Sequence, residues 1–252
     1  MIQPHLFEIV PEIGSTNAEL VARLGAGEGP AEGHWLIADR QTAGRGRAGR
    51  TWSDGAGNFM GSTVVRLRSG DPPAQTLALA AGLAVHRAVA GASNSACNPP
   101  SARALEKALL LKWPNDLLLA GAKLAGVLLE RREDTVVVGI GVNLAQSPDV
   151  PDRRTTCLGE HGCPVGRDPF AALLADEWAQ ALARWHLGEW PALRQEWLSR
   201  AHPVGTLVSV RDREQGELTG AFAGIDADGV AQLRLAGGTV YAVHAGDIEM
   251  VG

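Results

Sequence analysis

Two clusters of residues in this chain have the types and spacing to do chemistry. The first is the glycine- and arginine-rich run from Thr42 to Gly57, which places Arg45, Arg47 and Arg50 within six residues. Glycines let the backbone approach a ligand closely, and guanidinium forks grip phosphate or carboxylate in pairs of hydrogen bonds. The stretch Gly44–Gly49 also satisfies G-x-G-x-x-G. That fingerprint works when a helix starts directly after the glycines and aims its N-terminus at a pyrophosphate. Here turn formers follow, so a dinucleotide turn is rejected and anion capture is the sharper reading. Alone, the pattern also suits a solvated basic loop.

The second cluster is the run from Lys112 to Gly126. Lys112 ends an apolar segment, and Trp113-Pro114-Asn115-Asp116 makes a turn, because proline fixes φ and Asn and Asp favour turns. A hairpin then brings in Lys123 ahead of the apolar LAGVLLE. A cation there can point into a pocket, and Asn115 and Asp116 suit a magnesium ion or the orientation of a ligand. The plainer alternative is a hairpin with two exposed lysines.

The elements that must position these clusters follow from periodicity and punctuation. Leu6–Val10 is a short strand. Thr16 and Glu19 have capping-box spacing for a helix that Gly25 or Gly27 can end. HWLIADRQ and NFMGSTVVRL are strands on either side of the arginine loop. Residues 73–90 form an apolar helix, and residues 91–103, rich in Ser, Asn and Pro, form a loop. Four strands follow in ALLLKW, LLLA, KLAGVLLER and TVVVGIGVNL. Residues 168–187 and 189–201 form two helices whose core is Trp178, Trp185, Trp190 and Trp197. Beyond Pro203, short strands alternate with turn signals at Gly216, Asp228-Gly229 and Gly237-Gly238, the texture of a small β-barrel.

Composition limits the classes of function. With 252 residues, 45% of them hydrophobic, the chain can bury a core without staples. A net charge of -5 argues against general affinity for DNA or RNA, so phosphate chemistry must use local cations. Cys97, Cys157 and Cys163 match no zinc pattern and read as free thiols of a reducing compartment. Cys157 and Cys163 are close enough in sequence to meet. The seven histidines show no metal spacing, and His86, in a helix, reads as a packed or surface histidine and not as a ligand. The start of the chain has no basic segment or apolar core of a leader. TLALAAGLAV, broken by His86 and Arg87, is shorter than the ~20 residues a bilayer needs. A cytoplasmic protein with no membrane partner is expected.

Taken together, QTAGRGRAGRTW (Gln41–Trp52), KWPNDLLLAGAKLAG (Lys112–Gly126) and GIGVNL (Gly139–Leu144) resemble the catalytic domain of biotin protein ligases, in the family's order and at comparable spacing. Ser15-Thr16-Asn17 resembles the short segment near the start of that domain. WLSRAHPVG and the later HAGDI resemble the family's small SH3-like domain. Two departures are a longer stretch between Ala90 and Lys112, and NFMGS in place of the usual NLY-type strand. The resemblance implies an α+β fold: a mixed-sheet catalytic domain with packed helices, class II synthetase-like, over residues 1–203, and a C-terminal SH3-like β-barrel over residues 204–252.

The resemblance also implies roles. Ser15, Thr16, Asn17, Gln41, Arg45, Gly46, Arg47, Lys123 and Gly126 would meet biotin. Arg45, Arg50, Trp52, Lys112, Asn115 and Asn143 would meet the nucleotide. Arg47, Lys123 and Asp116 would be catalytic, with no metal ligand set assigned. The substrates would be ATP and biotin, with Mg2+, and the partner the biotin carboxyl carrier domain of acetyl-CoA carboxylase or another biotin-dependent carboxylase. A homodimer is compatible. DNA binding is not expected, since the catalytic domain begins almost at residue 1. Joining biotin's carboxylate to the α-phosphorus of ATP brings together anions that repel by ~4 kcal/mol at about 4 Å and an effective dielectric near 20. Cations must offset this, and a closing loop must keep water from the mixed anhydride. The alternatives are a lipoate-type ligase on a related fold and a non-catalytic biotin-binding regulator.

Overall fold

The structure is a computed structural model that describes residues 5–53, 55–151, 153–212, 216–243 and 246–251. Its frame is a seven-stranded sheet of β1 (Leu6–Val10), β2 (His34–Ala38), β3 (Phe59–Arg66), β4 (Leu109–Lys112), β5 (Asp116–Leu119), β6 (Ala122–Arg132) and β7 (Thr135–Val142), in the order β1-β2-β3-β7-β6-β5-β4. Only β1 and β2 pair in parallel. The mixed sheet with packed helices bears out the α+β expectation.

Alternation along the strands sorts side chains to two faces. Leu36, Val64 and Val137 pack with Leu20 of α1 (Thr16–Gly25) as one small core. Trp35, Ile37, Val65, Val136 and Val138 face the other way, into the main core with α2 (Leu77–Ala96), α4 (Arg167–His186) and α5 (Trp190–Ser199). The four tryptophans expected as helical core are all buried. Trp185 donates its indole N–H to Thr76 Oγ1 at 2.7 Å, so the large ring is satisfied where it is buried.

Four expectations are corrected. Residues 91–103 are not a loop: α2 runs on to Ala96, and α3 (Pro99–Ala108) starts at once, with Asn98 as N-cap and prolines in its first turn, where no N–H is needed. α1 has no Thr16/Glu19 capping box, because Ser15 is the N-cap and accepts from Ala18 N, while Glu19 pairs with Arg23. The longer α2 delivers Cys97 beside the turn ahead of α4, where it forms a disulfide with Cys163, Cα–Cα 5.3 Å. The free thiol is Cys157, so neither the trio of free thiols nor a meeting of Cys157 with Cys163 holds. The apolar run is also not short. Ala74–Ala96 spans 23 residues, long and apolar enough to cross a membrane by those criteria, yet 78% of its most apolar stretch is buried inside the protein.

Past α5, the strands β8 (Leu207–Asp212), β9 (Gly216–Ile225), β10 (Ala231–Arg234), β11 (Val240–Val243) and β12 (Ile248–Met250) form an antiparallel sheet in the order β11-β10-β9-β8-β12. The expected turn glycines Gly216, Gly229 and Gly238 all have positive φ, where a side chain is disfavoured. His244 and Ala245 of the HAGDI segment lie outside the described residues, as does Asp54 of the arginine loop. This unit is tied to the first one. Trp113 Nε1 donates to Gly229 O at 2.9 Å, Lys112 Nζ to Glu249 Oε2 at 3.0 Å, and the Arg194 guanidinium to Ile225 O.

Candidate active site

The floor of the site is made of glycines in three neighbouring strands: Gly61 of β3, Gly139 and Gly141 of β7, and Gly126 of β6. Gly126 of β6 pairs with Gly141 of β7, and Gly139 of β7 pairs with Ser62 of β3. A Cβ at Gly141 would lie 2.3 Å from the Trp52 ring, and one at Gly139 would lie 2.1 Å from Asn17 Oδ1. Glycine inside a strand marks such close approach. Above this floor sits a small cavity of about 50 Å³, lined among others by Ser15, Thr16, Asn17, Gln41 and Lys123.

One wall is a buried polar chain. Gln41 Oε1 accepts from Thr16 N at 2.8 Å, Thr16 Oγ1 is 2.7 Å from Ser62 Oγ, and Ser62 Oγ donates to Asn17 Oδ1 at 2.7 Å. Asn17 Nδ2 then donates to Glu130 Oε2 at 2.9 Å. The helix start places this wall. With Ser15 as cap, Thr16 and Asn17 are the first two helical residues, and both side chains are turned against the sheet. The result is a set of neutral donors and acceptors suited to an uncharged polar group.

The opposite wall is charged. β5 and β6 slip register between Leu117 and Leu118, so Leu117 pairs with Ala125 and Leu118 with Lys123. The extra residue re-aims the strand, as β-bulges do. Lys123 Nζ lies 2.6 Å from Asp116 Oδ1 and 5.7 Å from the centre of the Trp52 ring. Burial pushes the Lys123 ammonium below the usual lysine range, and Asp116 opposes that push. Trp52 lies over the floor because the arginine loop folds back on itself. Trp52 N donates to Gly44 O at 3.0 Å and Gly46 N to Arg50 O at 2.7 Å. At the loop's tip, Ala48 (φ 54°) and Gly49 (φ 74°) both take left-handed backbone.

The cations meet anions from the C-terminal unit. Arg47 donates to Asn115 Oδ1 and Asp247 Oδ1, both at 3.0 Å, and Arg50 also pairs with Asp247. Arg153 stands 3.7 Å from Asp116 Oδ2, 3.6 Å from Asp247 Oδ2 and 3.9 Å from Glu249 Oε1. Burial alone would raise the Asp247 carboxyl. The hydrogen bond and charge of Arg50, with Arg47 and Arg153 beside it, hold it below the ordinary aspartate range. Beyond Trp52 and Lys123 opens a second cavity of about 590 Å³, lined among others by Arg50, Thr51, Asn143, Arg153 and Thr155. Asn143 is buried and donates to Thr156 O at 3.1 Å.

The structure therefore gathers Ser15, Thr16, Asn17, Gln41, Arg45, Gly46, Trp52, Asn115, Lys123 and Gly126 around the small cavity. Arg50 and Asn143 line the larger one. Arg47 and Asp116 touch residues of these walls without lining the small cavity. Lys112 stands apart, spent on Glu249. Sequence reasoning missed Ser62, Arg153, Asp247 and Glu249. Only Ser62 had a local signal, being next to a glycine inside a strand.

A polar pocket with one neutral and one cationic wall, beside a cation-lined cavity and carried on a mixed α+β sheet, is the layout of a ligase that joins an acid to a nucleotide. The Biotin/lipoate A/B protein ligase family matches residues 15–145, and the Biotin protein ligase C terminal domain matches residues 205–251. A biotin--[acetyl-CoA-carboxylase] ligase of Paracoccus denitrificans is 38% identical over 231 residues, covering 87% of this chain and 90% of its own. A biotin protein ligase from Aquifex aeolicus, solved in complex with biotin and ATP, is similar with a TM-score of 0.79 and 26% identity over 98% of both chains. One from Leishmania major in complex with biotinyl-5-AMP is similar with a TM-score of 0.65 and 26% identity, over 96% of this chain and all of its own. The chain belongs to the biotin protein ligase family.

Proposed function

We propose that this chain activates biotin with ATP to biotinyl-5′-AMP, releasing pyrophosphate, and then passes biotin to a lysine on the biotin carboxyl carrier domain of acetyl-CoA carboxylase or a related carboxylase. The observation that carries this reading is the junction at Lys123 and Trp52, which line both the neutral pocket and the cationic cavity. In the first step a carboxylate oxygen bonds to the α-phosphorus and the bond to pyrophosphate breaks. In the second a lysine amine bonds to the acyl carbon and AMP leaves.

Each residue has a task in this scheme. Ser15, Thr16, Asn17 and Gln41 take biotin's urea, and Ser62 fixes their orientation. Lys123 holds the carboxylate and the α-phosphate, with Asp116 fixing its ammonium. Arg45, Arg47, Arg50 and Arg153 offset phosphate charge, worth the most in a site that excludes water. Gly46, Gly126 and Trp52 bound the biotin rings, so the arginine loop must lift for biotin to enter and settle afterwards. Asn115 and Asn143 orient Arg47 and the nucleotide base, and Lys112 ties the C-terminal unit in place. Among the described residues no three acidic, histidine or cysteine side chains are grouped to hold a metal ion. Magnesium enters this proposal with ATP, where it would neutralise phosphate charge.

The division into residues 1–203 and 204–252 belongs to the same proposal, with the second unit as the family's SH3-like barrel. The test is mass spectrometry of a carrier domain incubated with the protein, ATP, magnesium and biotin. One biotin on one lysine, and none with lipoate, is the expected result. Pyrophosphate release with lipoate alone, or tight biotin binding with no transfer, overturns it.

A further inference from the structure

A third cavity, of about 340 Å³, lies at the junction of the two units. Its walls come from Gln75 in the 3-10 turn Ala74–Thr76, from Ala78 and Leu79 at the start of α2, from Trp113 and Leu129, and from Val230 in the C-terminal unit. It shares Asn115 and Val127 with the small polar pocket. The cation-lined cavity meets that pocket elsewhere, through Gly46, Trp52 and Lys123, and no residue lines both of the larger cavities. The pocket is thus flanked by two separate cavities, one cationic and one apolar, and at the border with the apolar one stands the Asn115 side chain, which donates to Val127 O at 2.7 Å and accepts from Arg47 at 3.0 Å.

We infer that the apolar cavity is the channel by which the acceptor lysine reaches the activated acyl carbon. This rests on the reading above and adds the route of the second substrate. Transfer must occur while AMP is still attached, so the nucleotide cavity is filled when the lysine arrives. A second approach is then required, wide enough for a butyl chain and too narrow for a folded protein. Ala78, Leu79, Trp113, Leu129 and Val230 give such a stem apolar contact, as lysine stems take elsewhere. Arg47, at the inner end, is the one ionisable side chain among those lining the cavity. Apolar walls and a cation both disfavour an ammonium and favour the neutral amine that attack needs. The lysine loses one proton to solvent before attack. Its nitrogen then bonds to the acyl carbon, the bond to the phosphate oxygen breaks, AMP leaves with the electron pair, and the amide sheds its second proton.

Gln75 is exposed at the mouth and Ala78 is half-buried on the wall. The test uses the full chain as Gln75→Trp and Ala78→Phe, each checked for folding by denaturant titration. Pyrophosphate release from biotin and ATP is measured without acceptor, and then the transfer of biotin to a carrier domain. The expected result is release within about twofold of the parent chain, with transfer slowed about tenfold or more, since small misplacements of a reacting group cost that much. Release and transfer falling together overturn the proposal, because the cavity then serves activation. Unchanged transfer in Gln75→Trp also overturns it, whatever the folding of Ala78→Phe. A parent chain that releases no pyrophosphate sinks the parent reading instead, and that outcome is visible before any variant is made.

Discussion

Substituting Gly139 by alanine replaces one hydrogen with a methyl group, and the structure says where it goes. The new Cβ would stand 2.1 Å from Asn17 Oδ1, 2.8 Å from Cγ and 3.2 Å from Nδ2. The backbone cannot retreat, because Gly139 is paired with Ser62 on one side and Leu128 on the other. Asn17 must move. It then gives up the bond from Ser62 Oγ and its own bond to the Glu130 carboxylate. A neutral hydrogen bond contributes about 1 kcal/mol and one to a charged group about 1.5–3 kcal/mol. Alanine returns roughly 0.5–1 kcal/mol of backbone entropy. The net cost to stability is therefore about 2–3 kcal/mol. If Asn17 also meets biotin's urea, affinity for biotin falls by about tenfold or more. Urea titration and calorimetry with biotin measure the two effects. The decisive version is a double-mutant cycle with Asn17→Ala, in which the clash has no partner and the costs should overlap by about 2 kcal/mol. Additive costs, or a Gly139→Ala protein as stable as its parent, would falsify this account of the floor.

Three further expectations follow from the charged and titrating groups. Lys123→Met removes the nearer partner of Asp116 but leaves Arg153 at 3.7 Å, so stability should fall by less than the roughly 3–5 kcal/mol of a fully broken buried pair. Pyrophosphate release should fall by about 10²–10³, and near-normal release removes Lys123 from the site. Because burial lowers its pKa, the parent chain's activation rate should decline with rising pH before the ordinary lysine range. His86 and His202 are both depressed to about 4, by burial first and then by Arg200 and Arg87 for His86 and by Lys112 for His202. Between the ordinary histidine value and about 4 the unfolded chain binds protons that the folded chain refuses. Stability is then full above pH ~6.5 and falls as pH drops toward 4. Denaturant titrations across that window test this, and a flat profile contradicts the buried neutral histidines.

Much of the frame was legible because local patterns and tertiary needs agree. The strands of TVVVGIGVNL and the two tryptophan-bearing helices are long, apolar and well punctuated. The stretch after Ala90 misled because Ser, Asn and Pro usually signal loops. Here Ser93 is buried inside α2, and Asn98 with its prolines starts a helix. The cysteine pairing was hidden for the same reason, since it depends on where that helix ends. In the site, Arg47, Lys123 and Asn17 belong to compact local motifs. Ser62, Arg153 and Asp247 do not. They come from three distant segments, and only the folded sheet and the C-terminal unit bring them to the same walls.

Asp247 also answers a question that the arginine loop raises by itself. Three guanidinium groups gathered this closely repel each other and would scatter an empty loop. In this structure Arg47, Arg50 and Arg153 all close on one carboxylate, and Arg47 is further held by Asn115. Asp247 is largely buried, so its attraction is weakly screened. On the proposed reading, the cations are thereby gathered before any phosphate arrives, and a polyanion would replace the carboxylate without first ordering the loop. The cost of assembling the cations falls on folding instead of on binding, which is the logic of preorganised electrostatics. The C-terminal unit is thus part of the charge balance of the site, and its small size is no measure of its importance.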